Sequence, residues 1–382
     1  MQKPITKQTK IALLILSAMG MMSGVAIVAS LPFISSHFED IPHIEFLSKL
    51  LLTMPSIMVA LFAPFFGKLI DRVGRLKPLY IGVILFIVAG SSGVYIDNFY
   101  YLLVGRALLG ISVALIMTAS MALIGDYFQE EERNKFVSLQ GMVIGLSGIF
   151  FIISGGYLSD IEWRFPFYIY AVPLLFLPLI FTAFEEPKKV PLKKESEEII
   201  HANLFPVYLT GLFSMVLFYM LPTQLPYLVI NELDGTPSSV AYLIATAMFV
   251  NAIVAKQYHR LKSKLSHQQI FVIIFIVFGV GLFIISQAKN YSELFGATIF
   301  LGAGFGLILV NVNMWLLSLA HASKRGAAIG LLTSSFYFGQ FLSPIIFQPI
   351  VNMVGIRGLF FSVSLGVFIL AGVIFLFTLR RR

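Results

Sequence analysis

The sequence predicts an all-α integral membrane protein, with twelve transmembrane helices in two pseudo-symmetric six-helix bundles and both termini cytoplasmic. Three observations predict it: apolar runs of membrane-crossing length, a shortage of charge, and a one-sided distribution of lysine and arginine. Of 382 residues, 58% are hydrophobic and 12% charged, where soluble domains carry about 25% charged residues. Thirty-seven Phe, 30 Gly and 17 Pro against two Trp suit helices in lipid, which tolerate Gly and Pro. The absence of Cys excludes disulfides and thiolate metal sites, and no metal or cofactor is expected.

A crossing helix needs roughly 20 apolar residues. Such runs lie near 11–36, 45–66, 78–96, 99–124, 136–158 and 165–184, then near 204–230, 237–256, 268–287, 291–319, 326–350 and 357–379. The bilayer offers the backbone no water to bond, so each run is expected to be helical. The first run is too long for a signal-peptide core and is expected to be an uncleaved span. These elements give the domains 1–184, an N-terminal six-helix bundle, and 204–382, a C-terminal one. The polar stretch 185–203 (EEPKKVPLKKESEEIIHAN) is expected to be a cytoplasmic linker.

With the N-terminus placed in the cytoplasm, alternate loops hold 22 of the 27 basic residues. Lys49, Arg164, Lys289 and Arg357 fall on the other side, and Arg106 lies within a span. This positive-inside bias accounts for the net charge of +8 and calls for no nucleic acid. The expected location is the bacterial cytoplasmic membrane, multi-pass.

The chain also repeats itself. RNKFVSLQGMVIGLSGIFFIISGGYLSDIEWRFPF starts at Arg133, and RGAAIGLLTSSFYFGQFLSPIIFQPIVNMVGIRGLFF starts at Arg325, an offset of 192 residues. Gly110 and Gly302 keep the same offset, while Arg164 and Arg357 differ by 193. Repeats of like orientation are one transporter design, with a site between the halves near the midplane.

Residues 67–77, GKLIDRVGRLK, stand out between apolar runs. Gly67, Asp71, Arg72, Gly74 and Arg75 match the loop 2–3 signature G-x-x-x-D-R-x-G-R-[RK], and the chain resembles the major facilitator superfamily over essentially its whole length. Leu102, Arg106 and Gly110 resemble that family's fourth-helix pattern, and Trp163-Arg164 its entry to helix 6. Gly141, Gly145, Gly148, Gly155 and Gly156 resemble the fifth-helix motif of the drug/proton antiporter branch. Phe151-Ile152 stand where that motif has Gly-Pro, a departure that bears on antiport direction.

Gly67 is expected to let two helix backbones approach, and Gly74 to permit the turn into the third span. The resemblance implies that Asp71, Arg75 and Asp126 form a conformational gate latching the outward-open state. Arg72 and Lys77 are equally read as topology determinants. An acid is not needed for topology, so Asp71 is read as part of the latch.

The family's central cavity is lined by helices 1, 4, 7 and 10. Candidate lining residues here are Met22, Arg106, Gly110, Met117, Tyr219, Gln224, Asn311 and Trp315, with Tyr337 and Gln340 from the eleventh span. Arg106 lies about 10 Å into the membrane; it either faces the cavity or snorkels to the headgroups. Asn311 and Gln340 either contact substrate or bond neighbouring helices. No Asp or Glu lies mid-span, which leaves the proton carrier unassigned and favours neutral or anionic amphiphiles over multivalent cations.

The expected activity is secondary active transport by alternating access, with proton-coupled efflux of amphiphilic drugs or metabolites. The alternative is an importer or uniporter of a small anionic solute paired by Arg106. No GxxxxGK[ST] loop is present, and no nucleophile–base pair or acid pair lies in the spans, so an enzyme is not expected. The expected partners are a small-molecule substrate, protons and the bilayer, with the chain acting as a monomer.

Overall fold

The computed structural model describes residues 5–187, 203–321 and 325–380. Most of the expected 185–203 linker lies outside these residues. Among the described residues every regular element is helical: α1 (Lys7–Val25), α2 (Leu31–His37), α3 (Ile44–Val73), α4 (Leu76–Gly90), α5 (Ser92–Tyr95), α6 (Phe99–Tyr127), α7 (Glu130–Ile161) and α8 (Leu177–Thr182). They continue with α9 (Phe205–Tyr227), α10 (Pro237–Lys262), α11 (His267–Gln287), α12 (Tyr291–Leu319) and α13 (Arg325–Arg380). Eleven candidate membrane spans result, and the last, Arg325–Thr378, is 54 residues long. Gly355 interrupts it at φ 74° and ψ 173°, a backbone that only glycine adopts at low cost.

Several spans are less regular than their apolar runs suggest. The first breaks at Ala26, passes through a 3-10 turn at Val28–Ser30 and resumes as α2. Gly155 of α7 fits that break, since a Cβ there would lie 2.2 Å from the Ala26 carbonyl oxygen. The Ser30 and Ser159 hydroxyls bond at 2.7 Å beside it. The sixth span is a 3-10 helix over Phe165–Phe176 before α8 completes it. In α9, Pro222 and Pro226 remove two amide donors, and the Thr223 hydroxyl donates to the Tyr219 carbonyl at 2.6 Å. A π turn at Leu228–Glu232 ends that span. Neighbouring hydroxyls and local changes of helix type satisfy backbone groups that prolines release in lipid.

The chain divides into two compact units, Met1–Ser196 and Glu197–Arg382. In the first, α6 packs against α1, α3 and α4, and α1 against α7. In the second, α12 packs against α9, α10 and α11, and α13 against α9 and α11.

The repeat is visible in these packings. A Cβ on Gly110 would lie 2.4 Å from the Pro55 carbonyl oxygen, where α6 meets α3. A Cβ on Gly302 would lie 2.4 Å from the Ala247 carbonyl oxygen, where α12 meets α10. Both members of the second pair sit 192 residues after those of the first. Helix association in lipid rests on close packing of this kind, which only small residues permit. At Gly67, where a close approach is expected, a Cβ would meet among the described residues only the Thr118 methyl of α6, 4.0 Å away.

Candidate gate and the polar centres of each unit

The α3–α4 loop carries the densest polar geometry. Gly74 takes φ 108°, turning the chain sharply between α3 and α4. The Arg75 guanidinium then reaches three partners. Its Nη1 lies 3.0 Å from the Asp71 carboxylate and donates to the Ile70 carbonyl at 3.1 Å. Its Nε donates to Asp126 at the end of α6, also at 3.0 Å. The planar fork of an arginine suits two carboxylates and a carbonyl at once. Asp71, Gly74, Arg75 and Asp126 therefore meet in one cluster, while Arg72 is exposed beside it.

Arg106 is fully buried in the first unit. Its Nη2 donates to the Gly90 carbonyl at 2.9 Å, at the end of α4. The guanidinium carbon lies 4.7 Å from the ring centroids of both Phe167 and Tyr170. Residues three apart eclipse in a 3-10 helix, so the irregular start of the sixth span presents these two rings together. Arg106 is clamped among α4, α6 and this 3-10 helix. Its Nε and Nη1 are buried with no hydrogen-bond partner among the described residues.

Asn311 is also fully buried. Its Oδ1 accepts from the Tyr258 hydroxyl of α10 at 2.9 Å and lies 2.9 Å from Nδ1 of His267. Its Nδ2 donates to the His267 carbonyl at 3.1 Å. Asn311 thus ties α12 to the end of α10 and the start of α11, the helix-bonding role among its two readings.

The remaining cavity candidates are spread over several helices. Met22, Tyr219 and Gln224 are buried. Met117 packs across from Gly20, whose Cβ would lie 3.6 Å from the Met117 sulfur. Trp315 meets the Phe271 ring at 5.9 Å, and Gln340 approaches the Met215 sulfur at 4.0 Å. Tyr337 is partly buried on α13.

Two groups, Lys49 and Asp97, carried no sequence signal for their settings. Lys49, counted by charge among the outer residues, is fully buried on α3. Asp97, between α5 and α6, lies 3.0 Å from Nε2 of His37 and bonds Arg164. The His37 hydrogen bond and the Arg164 guanidinium hold its carboxyl below the usual aspartate range. Arg164 also donates to the Gly93 and Ile96 carbonyls at 3.1 Å each. Its repeat partner Arg357 donates to the Ala288 carbonyl and pairs with Glu232 at 2.7 Å.

The profile of the Major Facilitator Superfamily matches residues 11–255 and 207–382. The chain is 24% identical over 364 residues to the multi-drug resistance efflux pump PmrA of Streptococcus pneumoniae, covering 90% of each chain. It is 23% identical over 312 residues to the quinolone resistance protein NorA of Staphylococcus aureus, covering 76% of this chain and 79% of NorA. Its fold is similar to that of a bacterial homolog of the human lysosomal transporter Spinster, with a TM-score of 0.77 at 16% identity over 100% of this chain and 98% of the other.

Proposed function

Because the chain belongs to the Major Facilitator Superfamily, we propose that this multi-pass membrane transporter works by alternating access and expels amphiphilic drugs or metabolites in exchange for protons. The observation that carries the reading is the Asp71–Arg75–Asp126 cluster, in which two residues of the family's loop signature meet an acid at the end of α6. Similarity to PmrA and NorA along most of the chain supports export as the direction.

In this reading α13 crosses twice, on either side of Gly355, which gives twelve spans with both termini in the cytoplasm. The two six-helix domains, 1–184 and 204–382, rock about a central site, and the gate cluster lies on the cytoplasmic side. Met22, Met117, Tyr219, Gln224, Trp315, Tyr337 and Gln340 line the cavity. Thioether and aromatic walls of that kind repack around ligands of varied shape. Arg106 and Asn311 are assigned to the scaffold, and Gly110 to the α3–α6 contact. The transporter acts as a monomer in a bacterial cytoplasmic membrane.

The anionic-solute reading drew its support from Arg106. That guanidinium bonds the Gly90 carbonyl and stacks on two aromatic rings, while its Nε and Nη1 are buried without a hydrogen-bond partner among the described residues, so the anionic-solute reading stands second to efflux, which the similarity to PmrA and NorA favours. The test is accumulation of a fluorescent amphiphile such as ethidium in cells stripped of their own efflux systems. Cells expressing the chain should hold several-fold less dye, and Asp71→Asn or Arg75→Ala should return them to the level of empty cells. Equal accumulation with and without the chain, across cationic, neutral and anionic dyes, would remove the efflux reading.

A further inference from the structure

The gate loop is held from an unexpected direction. α4 begins at Leu76 with Arg75 at its N-cap, and no side chain of the local sequence caps it. The first amides of a helix need acceptors, and an anion there also meets the positive end of the helix dipole. Both needs are met by Glu186, more than a hundred residues away in sequence. One oxygen of its carboxylate accepts from the Arg75 amide at 2.5 Å and the other from the Leu76 amide at 2.9 Å.

The residues around Glu186 are fixed to the same region. The Tyr127 hydroxyl donates to the Glu185 carbonyl at 2.6 Å and accepts from the Glu185 amide at 3.1 Å. The Tyr80 hydroxyl donates to the Phe181 carbonyl at 3.3 Å. Gly74 admits the carboxylate, since a Cβ there would lie 2.9 Å from Glu186 Oε1. The signature glycine thus serves two ends, a positive φ and an opening for an acid.

We propose that Glu186, at the start of the segment joining the two domains, is a positioning residue of the gate. It grips the backbone of the residue whose side chain makes the latch. The amide that Glu186 binds and the guanidinium that binds Asp71 and Asp126 belong to one residue, Arg75. Fixing that amide fixes the direction in which the Arg75 side chain leaves the helix. Glu185 and Glu186 are thereby both held against the gate region. This inference rests on the gate reading above.

The test uses the full chain in lipid nanodiscs and vesicles, with Glu186→Ala, Glu186→Gln, Asp126→Ala and the Glu186→Ala/Asp126→Ala double variant. Hydrogen exchange at the Arg75 and Leu76 amides reads the cap, and ethidium transport reads the gate. Glu186→Ala should speed exchange at these amides about five- to tenfold, the scale of a lost helix cap. It should lower the maximal transport rate about three- to tenfold, with KM changed less than about twofold. Glu186→Gln, which keeps one acceptor, should fall between, and provides the test if the alanine variant does not fold. The double variant should be no slower than the slower single one, because both act through Arg75.

A wild-type transport rate in Glu186→Ala alongside a slow Asp126→Ala would overturn this role and leave the gate reading standing. A double variant as slow as the product of the singles would overturn it too. A wild-type rate in Asp126→Ala would instead remove the gate reading, and this inference with it.

Discussion

Arg106 donates to the carbonyl oxygen of Gly90 at 2.9 Å, pinning the first third of α6 to the end of α4. The bond forms where no water reaches, with Phe167 and Tyr170 against the guanidinium. The interaction is worth most in such a desolvated place. Arg106→Ala should destabilise the first unit by roughly 2–4 kcal/mol, through the lost charge-assisted bond and stacking. Arg106→Lys keeps the charge but lacks the planar fork, and should recover less than half of that. Thermal unfolding in detergent checks both, and transport by whatever folded protein remains should keep its KM.

The repeated glycine contacts predict matched effects in the two halves. Gly110→Ala and Gly302→Ala each drive a methyl into a backbone carbonyl 2.4 Å away. Each should cost about 1–3 kcal/mol by overpacking. At Gly141 and Gly145 a Cβ would meet no described atom within 4 Å, so alanine there should be neutral or stabilise by about 0.4–1 kcal/mol. The four unfolding temperatures, measured side by side, decide it.

Asn311 predicts a stability effect without a substrate effect. Asn311→Ala removes the acceptor shared by Tyr258 and His267 and the donor to the His267 carbonyl. Stranding these groups should cost about 1–3 kcal/mol. Substrate KM, measured on the surviving folded protein, should stay within about twofold of wild type. A tenfold rise in KM at unchanged stability would return Asn311 to the substrate site.

Asp97 predicts a pH dependence whose sign follows from its neighbours. His37 and Arg164 hold its folded-state pKa below the ordinary aspartate value. The stabilisation is therefore present above the unfolded-state value and lost as pH falls through the lower folded-state one. Wild type should exceed Asp97→Asn in unfolding temperature near neutral pH. The two curves should converge as pH drops below about 4. A constant gap across that window would contradict the assignment.

Some of these features are disclosed by the residues themselves. The loop signature places Asp71 and Arg75 four residues apart across the α3–α4 turn, and the family resemblance added Asp126, which Arg75 also bonds. The repeat was legible because Gly110 and Gly302 must both meet a backbone, and only glycine allows that. The setting of Arg106 was not legible. Apolar periodicity assigns a helix face but not its neighbours, and an apolar run does not announce that Phe165–Phe176 winds as a 3-10 helix. Lys49 was placed by charge counting, which assigns a side of the membrane and not a side chain's direction. Asp97 and Glu186 lie outside the periodic segments, and their partners are distant in sequence. Tertiary contact alone brings them together.

The measurement that bears most directly on proton-coupled efflux uses inside-out vesicles whose lumen has been acidified by a proton gradient. Lumen pH is followed as lipophilic cations, neutral amphiphiles and organic anions are added in turn, with Asp126→Ala vesicles as the control. Export in exchange for protons predicts that an amphiphile enters the lumen while lumen pH rises, and that both changes are lost in the control. Entry of compounds with no movement of protons, or a lumen that acidifies further, would contradict antiport.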